Sequence, residues 1–586
     1  MRQWMVAAKK ADFYAIAEKF HVDPVVARII RNREVIGEKN IRIYLGGNLS
    51  DLSDPHQMKD MDRLVEILAQ KIRKQAHIRI IGDYDVDGVT SSHLFLTALR
   101  RVGAKVDVVI PHRIQDGYGL SLHLLQQAKE DGVDTILTCD NGIAAIDEIA
   151  WAKAQKMTVL VTDHHAVPFE EHEGRRTEKK SLADAVVNPH QQDCGYPYKE
   201  LCGAGVAWNV IRVLYENYDM DKREAEDLLD FVAMATVCDV MSLTGENRIL
   251  VKEGLKRIRH TKNIGLQALM QACNVQPENI SAYHFGYVLG PCVNATGRLD
   301  TARHALRLFE TGQETEAEEI ARDLVDLNQE RKELTLQGVE MAKKLCEEGG
   351  YENDPVLVLF LPDVHESIAG LIAGRIREMY NRPVFVLTRG EEGVKGSGRS
   401  TENYSMYENM CGCVELFTKF GGHPMAAGLS LPEENVEKFR RKINENCPLT
   451  VEEVCPDIHI DMAMPVGYAS TELVHQFALL EPFGKDNPSP LFADRNLSIS
   501  RMWLIGKNRN VLRMSVLSEY GQPVPVIFFG DVETLFAYFT EKFGQEEVEN
   551  ALHGRKNRIL FSMVYTAKID FYQGNENLQL EMKYYR

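Results

Sequence analysis

The sequence predicts an α/β protein: a doubly wound parallel sheet, then a long connecting helix, a smaller α/β domain and a C-terminal β barrel. Three observations predict it. Apolar strands alternate with helical stretches from His77 onward, the pattern of parallel βαβ units. A second alternation begins after Gly349-Gly350. Beyond about Ile458 the chain turns to short strands punctuated by Gly and Pro, which fits a small barrel. A length of 586 residues is more than one hydrophobic core can organise, and at roughly 100–200 residues per domain it implies several compact units.

Residues 1–70 read as short helices and loops, with apolar positions on helical spacing at Phe13, Ile16 and Phe20 and again at Met61, Leu64, Ile67 and Leu68. The first strand carries Ile78, Ile80 and Ile81 and ends in Gly82-Asp83. A helix over about 89–101 follows, then a strand at 106–110. Strands at 135–138 and 158–162 run into Cys139-Asp140 and Asp163. In doubly wound sheets ligands collect beyond the carboxyl ends of the strands, and here those ends carry acids. The charged stretch 170–180 reads as a solvated loop. Ile320, Leu324, Leu327, Leu334, Met341 and Leu345 recur at helical spacing; this long helix either connects two domains or packs wholly within one. The second α/β pattern has strands at 356–360 and 384–387 with a helix over about 367–380 between them, and barrel strands are expected near 497–500, 511–516 and 524–529.

Hydrophobic residues at 44% and charged residues at 26% are ordinary globular values, which excludes disorder, collagen and coiled coil as global descriptions. No apolar run approaches the roughly 18 residues of a spanning helix, and the start lacks a secretory apolar core, so the expectation is a cytoplasmic protein without membrane attachment. The eleven cysteines form no CxxC pair; the closest spacing, Cys411-Gly412-Cys413, has no second pair to complete a zinc site, and reduced thiols are expected. A net charge of −17 excludes nucleic-acid binding by overall basicity. It is compatible with carboxylates that hold cations while local Lys and Arg hold phosphate.

The sharpest local feature is Asp83-Tyr84-Asp85-Val86-Asp87-Gly88, with acids at alternate positions directly after a strand. A calcium-sensor loop begins the same way, but its twelfth position must be a bidentate Glu and here it is Leu94. Alone, the run could be a capped helix start. Asp140 and Asp163-His164-His165, each after another strand, could likewise be caps or structural hydrogen-bonding groups. Together they line one rim of one sheet, a costly concentration of negative charge unless cations oppose it. Carboxylate oxygens with an imidazole or two suit Mn²⁺ or Mg²⁺, Mn²⁺ being favoured by the nitrogen. A bridging carboxylate can hold two such ions and activate a water between them, which gives the reaction class of metal-assisted phosphoester hydrolysis.

These residues carry a resemblance. DYDVDG, Asp140-Asn141-Gly142, Asp163-His164-His165 and Val237-Cys238-Asp239-Val240 are similar to the four ordered motifs of the DHH phosphoesterase superfamily. Within it the chain resembles the RecJ family of single-strand-specific 5′→3′ exonucleases. Further motifs extend the resemblance over nearly the whole chain: Asp116-Gly117-Tyr118-Gly119-Leu120-Ser121, Leu201-Cys202-Gly203-Ala204-Gly205, Asn294-Ala295-Thr296-Gly297-Arg298-Leu299, His365-Glu366, 395–400, Phe420-Gly421-Gly422-His423 and 480–484. It implies an N-terminal helical segment over 1–70, a DHH catalytic domain over 71–312, a connecting helix over 313–348, a DHH-associated substrate-binding domain over 349–457 and an OB-fold over 458–586.

By matching position, the resemblance implies that Asp85, Asp87, Asp140, His164 and Asp239 ligate two divalent ions, with Asp140 as the bridge and Asp83 completing one shell. His165 is implied as a catalytic phosphate contact, and Asp163 as an acceptor orienting a histidine. Pattern alone would have made Asp239 structural. Many superfamily members carry a His where this chain has Ile81. For substrate binding the resemblance implies Arg113 and Arg298 near the metals, and Lys395, Ser397, Arg399, Ser400, His423, His365 and Arg375 in the smaller domain. Ser367 and Pro424 depart from the family pattern beside two of these motifs. Lys507, Arg509 and Arg513 near Trp503 could form a single-strand-binding face or be ordinary barrel surface. The implied substrate is single-stranded DNA, the implied partners are a single-strand-binding protein and a helicase, and a monomer is expected. Two alternatives remain: a DHH phosphoesterase acting on oligoribonucleotides or cyclic dinucleotides, disfavoured by the added barrel, and a non-catalytic binding homologue, disfavoured because the metal acids are all present.

Overall fold

The computed structural model describes residues 3–113, 116, 117, 119–172, 175–390, 393–506, 509–572 and 574–586. The chain divides into two compact units: one holds 52–242 and 246–456, the other 3–51, 243–245 and 457–586. The expected 1–70 segment is therefore split. Strand β1 (Trp4–Val6) and helices α1 (Phe13–Phe20), α2 (Pro24–Asn32) and α3 (Glu38–Gly46) fold with the C-terminal barrel, whereas α4 (Met61–Arg73) packs on the first sheet. The reason lies in the apolar faces: Val25, Val26, Ile29 and Ile30 enter the barrel's core, while Leu64, Leu68 and Ile72 are buried on the catalytic side.

The first sheet contains β2 (Ile78–Ile81), β3 (Val106–Val109), β4 (Thr135–Cys139), β5 (Thr158–Thr162) and β8 (Ala185–Val187), all parallel, in the order β3-β2-β4-β5-β8. Helices α5 (Val86–Arg101) and α8 (Gly203–Asn217) cover one face with α4; α6 (Leu122–Glu130) and α7 (Ile146–Ala154) cover the other. The chain leaves β2 toward β3 on one side and returns to β4 on the other. That switch point opens a crevice at the carboxyl ends of β2 and β4, where an open parallel sheet offers a ligand room. The stretch expected as a solvated loop at 170–180 instead forms a hairpin of β6 (Phe169–His172) and β7 (Arg175–Glu178). Short alternating segments gain ladder hydrogen bonds that a charge-based reading overlooks.

Helices α9 (Lys222–Glu226), α10 (Leu229–Cys238), α11 (Gly245–Ile258), α12 (Ile264–Ala272), α13 (Ala282–His284), α14 (Gly290–Leu299) and α15 (Arg303–Glu310) complete this part. The 35-residue α16 (Glu314–Glu348) packs on α12 and α14 at one end and on α17 (Ala369–Tyr380) at the other. A mixed sheet follows, β12 (Lys419–His423), β13 (Ala426–Leu431), β11 (Gly393–Arg399), β10 (Val384–Gly390) and β9 (Leu357–Phe360) in that spatial order; only β9 and β10 are parallel. In the other unit, β14 (Ile458–Ile460) pairs with β1. After β15 (Met462–Ala463), β16 (Phe492–Ile505), β17 (Val511–Leu517), β18 (Pro523–Phe528), β20 (Asn575–Tyr585) and β19 (Leu560–Tyr572) pair in sequence, and β19 closes back onto β16. Closure leaves no free edge in the barrel, and Phe492, Met514, Phe539 and Tyr565 fill its interior. Among the described residues, no helix is long and apolar enough to cross a membrane.

Candidate metal centre and phosphate site

The loop after β2 supplies the first acids. Asp83 is buried; its Oδ1 accepts from the Gly119 N–H at 3.4 Å, and its Oδ2 has no hydrogen-bond partner among the described residues. Asp85 caps α5, accepting from the Gly88 N–H at 3.0 Å. Asp87 lies in the first turn and accepts from the N–H groups of Gly203 at 2.6 Å and Ala204 at 2.7 Å. These are the first two residues of α8, so the helix N-terminus supplies its otherwise unpaired donors to this carboxylate. Gly203 makes the approach possible: a Cβ there would stand 2.6 Å from Asp140 Cβ.

Asp140 ends β4 in the left-handed region with φ 61, which turns its carboxylate into the crevice. His164 follows β5. Its Nε2 lies 3.1 Å from Asp140 Oδ1 and 3.6 Å from both Asp87 Oδ2 and Asp239 Oδ2. Asp239 arrives from the C-terminus of α10. Among the described residues ligand-type atoms thus gather in three overlapping groups, Asp83–Asp85–Asp140, Asp87–His164–Asp239 and Asp140–His164–His165, each within 4.8 Å. Asp140 and His164 each belong to two of them.

Burial pushes Asp140 well above the usual carboxylate range, and the charges of Asp87, Asp85, Asp239 and Asp83 push it the same way. Asp83 is raised by burial and then by Asp85; Asp85 is raised by burial and then by Asp87. Cations would relieve the repulsion among these acids, and an oxygen-rich donor set with one or two imidazoles fits Mn²⁺ or Mg²⁺. Asp163 behaves differently. Burial raises it, but the hydrogen bond from His165 Nδ1 at 2.8 Å and the histidine charges outweigh burial, and it falls below the usual range. It also accepts from the backbone N–H groups of Ile143, His164 and His165, which holds the backbone of both histidines, while the ring bond holds the His165 imidazole. For His165, burial opposes the charge, yet Asp163 and the surrounding acids raise it to about 9. The acids around His165 thus favour its imidazolium form.

Positive charge comes from the neighbouring helix. Asn294 Oδ1 accepts the Val86 N–H at 3.1 Å, and Gly297 lets α14 lie against the Tyr84 carbonyl where any Cβ would collide. Docked in this way, α14 presents Arg298, whose Nη1 donates to the Ser367 carbonyl at 2.7 Å on the mixed-sheet side. Burial lowers Arg298 to about 9, and Arg113, Arg331 and Arg399 add repulsion. Arg113 lies 4.7 Å over the Tyr84 ring. Among the described residues Arg113, Arg298 and Arg399 form no ion pair with a carboxylate, and Arg113 repels both of the others. A cavity of about 420 Å³ adjoins them, lined by Tyr84, Arg113, Lys395, Ser397, Phe420 and Gly421 among others.

The rim brings together every acid and histidine expected there. The smaller sheet corrects several expectations. Lys395, Ser397 and Arg399 lie within β11, the strand after β10, and Gly421-Gly422-His423 lie within β12. Glycine-rich runs read as turns, but here their small side chains let cross-strand neighbours pack. Lys395 is ion-paired to Glu366 at 2.8 Å. Ser400 is buried and its hydroxyl donates to the Tyr404 carbonyl at 2.6 Å, a structural role. His365 caps the turn at Glu366–Ile368, Arg375 is exposed beside Glu378 on another groove, and His423 is exposed; none lines the cavity. Lys507 lies outside the described residues, and Arg509 is exposed on a turn. Arg501 and Arg513 flank Trp503 at 5.6 and 5.9 Å on the barrel. Tyr84, Phe420 and the Gly203-Ala204 donors are not among the expected site residues, although Gly203-Ala204 lies in one of the motifs that carry the family resemblance.

The DHH family, N-terminal domain, is matched over residues 77–236 and the DHHA1 domain over 353–447. The rim and the sheet facing it are therefore those of a DHH phosphoesterase. The RecJ OB domain is matched over 460–584. A RecJ exonuclease of Haemophilus influenzae is 32% identical over 582 residues, covering 96% of each chain, and one of Escherichia coli is 32% identical with 95% of each covered. The chain belongs to the RecJ family. A Bacillus subtilis relative is 33% identical, and there the chain spans 63% of the relative's length. The crystal structure of Thermus thermophilus RecJ with Mn²⁺ superposes with a TM-score of 0.81 at 25% identity, covering 100% of this chain and 79% of that one.

Proposed function

We propose that this protein is a metal-dependent exonuclease that hydrolyses single-stranded DNA from the 5′ end and releases nucleotides. The observation that carries the reading is the convergence on His164 Nε2 of carboxylates from α5, the end of β4 and the end of α10, at 3.1–3.6 Å, beside an arginine cluster without carboxylate partners. Asp85, Asp87, Asp140, His164 and Asp239 would hold two divalent ions, Mn²⁺ or Mg²⁺, with Asp140 shared and Asp83 completing one shell. The name of the relatives, single-stranded-DNA-specific exonuclease, and the Mn²⁺ complex of the Thermus protein support this choice. Ions held there supply Lewis acidity to the phosphoryl oxygens and lower the pKa of the attacking water.

The chain's own residues do the rest. Asp163 fixes the orientation and charge of His165, which can then bind a phosphoryl oxygen. Arg113, Arg298 and Arg399 bind the phosphates on the far side, and Tyr84 and Phe420 offer ring faces to a base. Removing the arginines from water strengthens their attraction to phosphate, because that attraction grows as the local dielectric falls. On the barrel, Trp503 with Arg501 and Arg513 has the aromatic and cationic make-up of a single-strand surface. A cytoplasmic monomer working with a single-strand-binding protein and a helicase completes the reading.

The test is hydrolysis of a single-stranded oligonucleotide labelled at its 5′ or its 3′ end, with Mn²⁺ and with Asp140→Ala as control. Early mononucleotide release from the 5′ label, gradual shortening of the 3′-labelled strand and loss of both in the variant are expected. Intact long DNA with cleaved dinucleotides or oligoribonucleotides would replace the reading with a small-substrate phosphoesterase.

A further inference from the structure

Helix α5 carries metal-rim acids in its first turn and forms the wall of a second groove at its other end. The groove, about 1100 Å³, lies between α5, α10, α12 and the end of α15, at the upper limit of small-ligand sites. At a rise of about 1.5 Å per residue, His93 stands roughly 9 Å along the helix from Asp87, so the groove is separate from the rim.

Two buried polar side chains line it: Asp230, 3% exposed, which accepts from the Thr261 hydroxyl at 2.7 Å, and His93, 6% exposed, whose Nδ1 finds no hydrogen-bond partner among the described residues. Around it stand Phe231, with ring centroids 4.5 Å away, and Phe309 at 5.9 Å. Burial lowers His93 to about 3, so the ring is a neutral group offering both a donor and an acceptor. A buried imidazole with an unused nitrogen costs free energy unless a ligand or water meets it. Planar nitrogen heterocycles suit such a floor in both shape and hydrogen bonding.

The rim has a different chemistry. Most of its cations are tied to acids: Arg101 to Glu224 at 2.7 Å, Lys256 to Glu253 at 2.6 Å and Arg100 to Glu310 at 3.2 Å. One end is looser. Lys262 is 89% exposed and only 3.5 Å from Asp227, and it stands with exposed His260 immediately before the first turn of α12, whose residues Asn263 and Ile264 also line the groove. A helix start flanked by an exposed lysine favours a phosphate, since exposed ion pairs are worth little and exchange partners readily.

We propose that this groove binds a nucleoside monophosphate, with its base against His93 and its phosphate toward Lys262 and the start of α12. The choice of nucleotide rests on the exonuclease reading, because a mononucleotide is what that reaction releases.

The experiment uses the full chain in EDTA without DNA: photolabelling with 8-azido-dAMP, mapping of the labelled peptides, and titration with unlabelled dAMP. Thr97, exposed on the groove wall, is changed to Trp to fill it, and His93→Phe removes the ring nitrogens while keeping a ring of similar size. Expected are saturable labelling within 256–264 or 309–312 and about a tenfold loss of affinity in each variant, with melting temperatures confirming that both fold. Labelling confined to 395–430, unchanged affinity in Thr97→Trp, or no saturable labelling would overturn the proposal. Single-strand hydrolysis measured separately on the same preparation decides the exonuclease reading independently of any of these results.

Discussion

The two sheets of the larger unit concentrate charge of opposite sign and by different means. The parallel sheet places Asp83, Asp87, Asp140 and His164 on loops and helix starts beyond its strand ends, held by backbone N–H groups from Gly119 and α8. The mixed sheet carries Lys395, Ser397 and Arg399 on a strand, where alternation rather than a loop sets their direction. Metal chemistry requires several oxygens around one point, which converging chain turns can supply; a phosphate requires donors along a surface, which a strand face supplies. The carboxylates thus gather beyond the parallel strands, while the cations beside them come from the loop after β3, from α14 and from one strand of the mixed sheet.

The strongest way to break this division is Asp87→Ala. It removes both a rim oxygen and the acceptor for α8, and turnover is expected to fall at least about a thousandfold, several kcal/mol of transition-state stabilisation. Calorimetry should show Mn²⁺ binding lost as well. If Mn²⁺ stoichiometry and turnover both survived, the rim would not be the metal centre. Arg298→Ala tests the arginine cluster that α14 carries toward the mixed sheet: kcat/KM should drop about ten- to a hundredfold, the worth of a charge-assisted hydrogen bond, with Mn²⁺ affinity unchanged. A matching loss of metal binding would collapse the distinction between the two sheets.

His93 is the control, a buried ionisable group on the helix that bears the rim but away from its acids. Its folded pKa near 3 lies below the ordinary 6.5, so the unfolded chain binds the extra proton first. The stability this contributes is complete above about pH 6.5 and is lost as pH falls toward 3. Relative to the wild type, His93→Phe should gain on the order of 1–2 kcal/mol between pH 6.5 and 5 in urea unfolding, at up to about 1.4 kcal/mol per pH unit. Asp230, raised to about 6 by burial, titrates with the opposite sign in both proteins and cancels from the difference. A pH-independent difference would show His93 hydrated in the native state. The smallest effect separates two nearby serines, one on β11 and one just past its end: Ser397→Ala should raise KM about threefold, while Ser400→Ala leaves KM unchanged and costs about 1 kcal/mol of stability, since its hydroxyl bonds Tyr404.

The rim was legible because strands and acids alternate in the sequence at short range: each acid directly follows an apolar run, and the switch point does the rest. Asp239 was not legible by pattern, since it ends an apolar helix and gains meaning only from His164, 3.6 Å away. The mixed sheet was read less well for the opposite reason. Gly396, Gly398, Gly421 and Gly422 signal turns locally, yet they pair across β11, β12 and β13, a non-local arrangement. His365, Arg375 and His423 were chosen for residue type, and their exposure away from the cavity follows from packing that residue type does not encode.

By itself the sequence determined the order of strands and helices, the acids at the ends of the parallel strands and the closing barrel, because hydrophobic periodicity and turn chemistry act over a few residues. Only the tertiary structure decided that α8 aims its N-terminus at Asp87, that α14 carries Arg298 across to the mixed sheet, and that residues 3–51 complete the barrel's core rather than standing before the catalytic sheet. Those outcomes depend on close approach between distant segments, at glycines such as Gly203 and Gly297, and no local pattern specifies which distant backbone will fill the space a missing Cβ leaves.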